Sequence, residues 1–129
     1  MVFGTFDGLH KGHLDFLKQA REYGDYLVAV VGREKNIIKL KGKPQRNEQE
    51  RLSDLRKCPL VDQALLGNEG DPYKIIEDMK PYVICLGYDQ KHFADNLENE
   101  LKKRNLNIKV YRMKRYKTEI FHSSILNKK

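Results

Sequence analysis

Two uninterrupted apolar runs, YLVAVV at residues 26–31 and YVICL at residues 82–86, each stop at a glycine. A strand with one face in water alternates apolar and polar residues. A run with no alternation suits a strand covered on both faces, the situation of a parallel sheet flanked by helices. Between and around these runs lie segments with helical apolar spacing. Leu14, Leu17 and Ala20 predict a helix to about Tyr23, stopped by Gly24. Asn47 stands as N-cap with Glu50 at capping-box distance, which opens a helix over 47–57. Asp71 and Pro72 read as cap and first residue of a helix through Met79, ended by Pro81. Phe93, Leu97 and Leu101 mark a helix to about Arg104. Further strands are expected at 2–6, 61–66 and 107–113, a loop at 35–46, and a short helix from Ser123 onward. The alternation predicts an α/β fold: a doubly wound, five-stranded parallel sheet with helices on both faces. Ligands of such sheets sit beyond the carboxyl ends of the strands, near the point where strand order reverses.

With 129 residues, 40% of them apolar, one domain spanning 1–129 is expected. No apolar run is long enough to span a bilayer, and the N-terminus shows no secretory pattern, so no membrane partner is expected. Cys58 and Cys85 form no CxxC pair and read as buried thiols in a reducing compartment. The net charge of +7 suits a phosphorylated small molecule as well as a nucleic acid. The basic cluster KLKGKPQR carries no interleaved aromatics, and nucleic acid is not the expected partner.

The chemistry concentrates in GTFDGLHKGH, residues 4–13, at the first strand-to-helix junction. Helix N-termini attract anions through unpaired N–H groups and the aligned dipole. His10 and His13 add imidazole donors there, and Gly12, lacking a side chain, would let a ligand approach the backbone. Phosphate is the natural guest. A zinc site would need His10, His13, Cys58 and Cys85 to converge without finger spacing, and the segment lacks the glycine-lysine form of a P-loop.

GTFDGLHKGH resembles the GTFDxxHxGH signature of the cytidylyltransferase-like nucleotidyltransferases. The likeness extends through GDYLVAVV, the loop Lys41-Gly42-Lys43-Pro44, Glu50-Arg51, Val61-Asp62 and GYDQ at 87–90. Within that family LKQAREYGDYLVAVV, ALLGNEGD and VICLGYDQ are most similar to archaeal-type FAD synthases. The resemblance implies the Rossmann-like fold of the HIGH superfamily. It also implies transfer of AMP from ATP to FMN, giving FAD and pyrophosphate, with Mg²⁺ or another divalent cation and no covalent enzyme intermediate. The sister activity would use CTP and glycerol 3-phosphate, and a non-catalytic nucleotide- or RNA-binding role is the reading from another class.

The resemblance further implies roles for particular residues. His10 and His13 would hold the triphosphate and its developing charge, with Lys41 and Lys43 on the phosphates. Gly4, Thr5, Phe6, Gly12, Gly87, Asp89, Arg115, Ser123 and Ser124 would form the nucleotide site. Asp7 would reach the acceptor or a metal, and Arg51 the acceptor. Phe121 and His122 stand where the family commonly carries hydroxyls. A cytoplasmic homodimer is implied as well.

Overall fold

The structure is a computed structural model and describes residues 1–33, 44–88 and 90–114. Its elements run β1 (Val2–Gly4), α1 (Lys11–Arg21), β2 (Val28–Val31), α2 (Glu48–Arg56), β3 (Gln63–Leu66), α3 (Lys74–Met79), β4 (Val83–Leu86), α4 (Lys91–Lys103) and β5 (Lys109–Arg112). All five strands are parallel, in the order β3-β2-β1-β4-β5.

The two faces of the sheet sort their side chains by the two-residue period of a strand. On one face Val2, Ala29, Val31, Ala64 and Cys85 pack against Leu17 and Ala20 of α1 and Leu52 and Leu55 of α2. On the other, Phe3, Val28, Val30, Ile84 and Leu86 meet Ile76 of α3 and Leu97 and Leu101 of α4. This is the doubly wound sandwich that the apolar runs predict. All four residues of β2 are buried, as a strand covered on both faces requires. Both cysteines are buried free thiols. No described helix is long and apolar enough to cross a membrane.

Several boundaries differ from the expectations, each for a local reason. The first strand ends at Gly4 rather than Phe6, because Phe6 turns into the left-handed region (φ 53°). The first helix ends at Arg21 without help from Gly24. Glu22 and Tyr23 donate instead to Gln19 O (3.2 Å) and Ala20 O (3.0 Å), tightening the last turn. Asp71 caps a turn, not the helix: its carboxylate accepts from Tyr73 N–H (3.0 Å), and α3 begins only at Lys74. Pro81 does end α3, since the residue before a proline avoids the right-handed helical region and Lys80 goes left-handed (φ 47°). The strands expected at 26–31, 61–66, 82–86 and 107–113 are each trimmed, to β2, β3, β4 and β5. The expected helix at Ser123 lies outside the described residues, as does most of the expected loop at 35–46.

Candidate active site

Chain order crosses from β3 back over the sheet to β4, so β1 and β4 flank the reversal point. The carboxyl end of β1 leads into residues 5–13, and that of β4 into residues 87–90. The two glycine-bearing segments therefore share one mouth.

His10 and His13 meet there through the first turn of α1. His10 is the N-cap, and its Nδ1 accepts from Gly12 N–H (3.0 Å). His13 at N3 returns the favour more weakly, with Nδ1 accepting from His10 N–H (3.4 Å). This is a capping box built from two imidazoles. The rings stack with centroids 3.9 Å apart, and Phe6, itself buried, lies 5.6 Å from the His13 ring. A nitrogen that accepts an N–H carries no proton, so each neutral imidazole places its proton on Nε2. The helix start thus carries two stacked imidazoles whose Nε2 atoms are donors in the neutral rings.

The glycines serve this geometry. A Cβ on Gly4 would sit 2.9 Å from the Phe6 ring, which folds back over the end of β1. At Gly12 the space is not left for a ligand, as the sequence suggested. A Cβ there would lie 2.9 Å from His10 Cε1, so the glycine makes room for the capping imidazole. Gly12→Ala is therefore expected to displace the His10 ring and lower kcat/KM by about tenfold or more, while costing under about 1 kcal/mol of stability, the scale of a lost cap. Turnover measured beside a thermal melt checks it; an Ala variant with unchanged turnover would separate the ring's position from activity.

Asp7 and Arg51 frame the mouth from the β2 side. Asp7 uses both carboxylate oxygens on main-chain amides, Gln45 N–H and Arg46 N–H, each at 2.9 Å. Those two hydrogen bonds hold its pKa below the ordinary carboxylate value. The tie is therefore complete at neutral pH and is lost only as pH falls through that lowered pKa. Arg51, on α2, is the one buried charged side chain among the described residues. Its Nη1 donates to Thr5 O (2.8 Å) and Gly32 O (2.9 Å), and its Nε to Arg46 O (3.1 Å). One guanidinium thus joins the segments leaving β1 and β2 to the start of α2. Thr5 enters this frame through its carbonyl.

One residue with a part in this mouth escaped the sequence reading. Gln90 places its carboxamide between β1 and β4, with Gly87 N–H donating to Oε1 (2.7 Å) and Nε2 donating to Phe3 O (2.5 Å). The available signal was a side chain able to donate and accept at once, three residues after the glycine that ends β4. Lys41, Lys43, Asp89, Arg115, Ser123 and Ser124 lie outside the described residues. Among the described residues no three His, Cys, Asp or Glu side chains converge to hold a metal ion.

Comparison with known proteins agrees with this arrangement. The cytidylyltransferase-like family model matches residues 1–129. A FAD synthase of Aciduliprofundum boonei is 46% identical over 116 residues, covering 90% of this chain and 78% of that protein. A FAD synthase of Archaeoglobus fulgidus is 45% identical over 114 residues, 88% of this chain and 82% of that protein. A solved structure from Thermoplasma volcanium, described as a lipopolysaccharide core biosynthesis protein, superposes with TM-score 0.84 at 37% identity, covering 89% of this chain and 94% of that one. A parallel sheet whose reversal point carries a stacked histidine pair, matched along its whole length by one family, places this chain in the cytidylyltransferase-like nucleotidyltransferases.

Proposed function

We propose that the protein is an adenylyltransferase that makes FAD from FMN and ATP, as a single nucleotidyltransferase domain over residues 1–129. The stacked His10–His13 pair at the start of α1 carries the chemistry of this reading. The relatives named FAD synthase support the choice of substrates. An oxygen of the FMN phosphate attacks the α-phosphorus of ATP. The new P–O bond forms as the bond from the α-phosphorus to the bridging oxygen breaks, and pyrophosphate leaves with that oxygen. Negative charge grows on the phosphate oxygens, and the two Nε2–H groups donate to them from a fixed position. Donors set in advance need no reorganisation as the charge develops.

The remaining assignments belong to the same reading. Lys41, Lys43 and Arg115 bind phosphates, Ser123 and Ser124 the triphosphate, Asp89 the nucleotide, and Gly4, Phe6 and Gly87 shape its site. Mg²⁺ enters as the counter-ion of the triphosphate. Among the described residues no three His, Cys, Asp or Glu form a metal cage, and both Asp7 oxygens accept from main-chain amides. The same reading takes the protein as a cytoplasmic homodimer, supported by the family likeness and by buried thiols that suit a reducing compartment.

Pyrophosphate release, with ATP and CTP crossed against FMN and glycerol 3-phosphate in the presence of Mg²⁺, tests the proposal. Release with ATP and FMN, with FAD appearing in step, is the expected result. Release with CTP and glycerol 3-phosphate would move the protein to the sister activity, and silence from a folded protein in every combination would sink the reading.

A further inference from the structure

We propose that the Gln90 carboxamide is a wedge that replaces one rung of the β1–β4 ladder and so sets the width of the mouth. Val2 pairs with Cys85, and Cys85 N–H donates to Met1 O (3.0 Å). In a regular parallel ladder, the next donor from that edge of β4 is Gly87 N–H and the next acceptor on β1 is Phe3 O. Both groups are occupied, but by Gln90: Oε1 takes the donor (2.7 Å) and Nε2 feeds the acceptor (2.5 Å). The rung is kept as two hydrogen bonds in series, with a planar amide between the strands. They separate at their carboxyl ends without leaving a buried main-chain group unpaired.

This use of the side chain comes at the expense of another. Gln90 is the N-cap residue of α4, yet it makes no side-chain capping bond, because its carboxamide is turned back to the sheet. Its own N–H closes on Gly87 O (3.2 Å) and its carbonyl accepts from Ala94 N–H (2.9 Å), which fixes the backbone from which the wedge projects. Gly4, which opens the segment carrying His10 and His13, follows Phe3 directly. The wedge therefore sets how far the histidine pair stands from the β4 side of the site. Gln90 acts through these neighbours and is a positioning residue.

The chemistry is selective. The wedge must accept from an N–H on one side and donate to a carbonyl on the other. A carboxamide does both. A carboxylate accepts only and sets an oxygen against Phe3 O, whereas a protonated carboxyl again does both. In Gln90→Glu the folded protein thus favours the protonated acid, so the glutamate titrates above its ordinary value of about 4.3. A raised folded-state pKa gives stability that is present at low pH and lost as pH rises through that pKa.

The kinetic arm of the test rests on the adenylyltransferase reading, and the other arm does not. Full-length wild type, Gln90→Glu and Gln90→Ala are compared between about pH 4 and pH 8, a window that includes the ordinary glutamate value and the range above it. Thermal midpoints, ATP binding without acceptor, and FAD formation are measured on each. Gln90→Glu is expected to melt well below wild type at the upper end and to approach it at the lower end. Its ATP affinity and kcat/KM should follow the same course. Gln90→Ala is expected to lose about 10²-fold in kcat/KM at every pH, the scale of a misplaced reacting geometry, and to show no recovery in acid. A Gln90→Glu deficit in melting and binding that stays constant across pH would overturn the wedge, as would Gln90→Ala activity within about twofold of wild type, far short of a misplaced geometry. Should wild type bind ATP yet make no FAD, the acceptor assignment fails. The melting and binding profiles of Gln90→Glu then still decide the wedge.

Discussion

His10→Ala and His13→Ala are each expected to lower kcat by about 10²–10³-fold, the range found when a preorganised donor to a developing oxyanion is removed. The fold should survive both changes. Loss of an N-cap costs about 1 kcal/mol, a fraction of the stability of a domain of this size. Because His10 both caps α1 through Nδ1 and donates through Nε2, alanine removes two functions together. His10→Asn separates them: the asparagine Oδ1 can accept from Gly12 N–H, but nothing takes the place of Nε2. Its melting temperature should return toward wild type while its turnover stays low. Rates of FAD formation beside thermal melts check this pair. Wild-type turnover in a well-folded His10→Ala/His13→Ala double variant would remove the histidines from the chemistry.

The legible parts of this structure are those whose cause is local. The capping box at Asn47 and Glu50 is written in four residues and appears as written, with Glu50 N–H donating to Asn47 Oδ1 (2.8 Å) and Asn47 N–H to Glu50 Oε1 (3.0 Å). The covered strands 28–31 and 83–86 follow from apolar runs alone. The histidine pair was recognisable because its spacing places both rings on one turn of a helix start. Residues whose partners are distant in sequence read less well. The sequence offers Asp7 as a ligand for a metal or acceptor and gives no sign of the bonds its carboxylate accepts from the amides of Gln45 and Arg46. Gly12 reads as space for a ligand, yet the space is filled by the ring two residues earlier. Gln90 closes the GYDQ segment, which gives no sign of where its carboxamide goes. Its part depends on two strands from opposite halves of the chain ending side by side.

Arg51 is the sharpest instance, and its replacement should have the largest effect on stability. The sequence reading assigns it to the acceptor. The structure buries it completely and directs it at three main-chain carbonyls, those of Thr5, Gly32 and Arg46. Hydrogen bonds to a charged donor contribute about 1.5–3 kcal/mol each, and carbonyls left unpaired in a buried place add their own cost. Arg51→Met keeps much of the volume and removes every donor. A loss of about 3–5 kcal/mol is expected, the scale seen when a buried charged group's interactions are broken. For a chain of this length that lowers the melting temperature by roughly 10 °C or more. Arg51→Lys retains the charge but not the planar fork that reaches several carbonyls at once, so it should fall between. Denaturant melts of the two variants give the stabilities, and FMN titrations below their melting temperatures give the KM. With Nη1 and Nε of Arg51 engaged on the frame, the deficit should appear in stability and in kcat, through the displaced carbonyl ends of β1 and β2, more than in the KM for FMN. An Arg51→Met protein that melts like wild type but has a greatly raised KM for FMN would instead make the guanidinium an acceptor ligand, and the frame around residues 5, 32 and 46 would have to be held by something else.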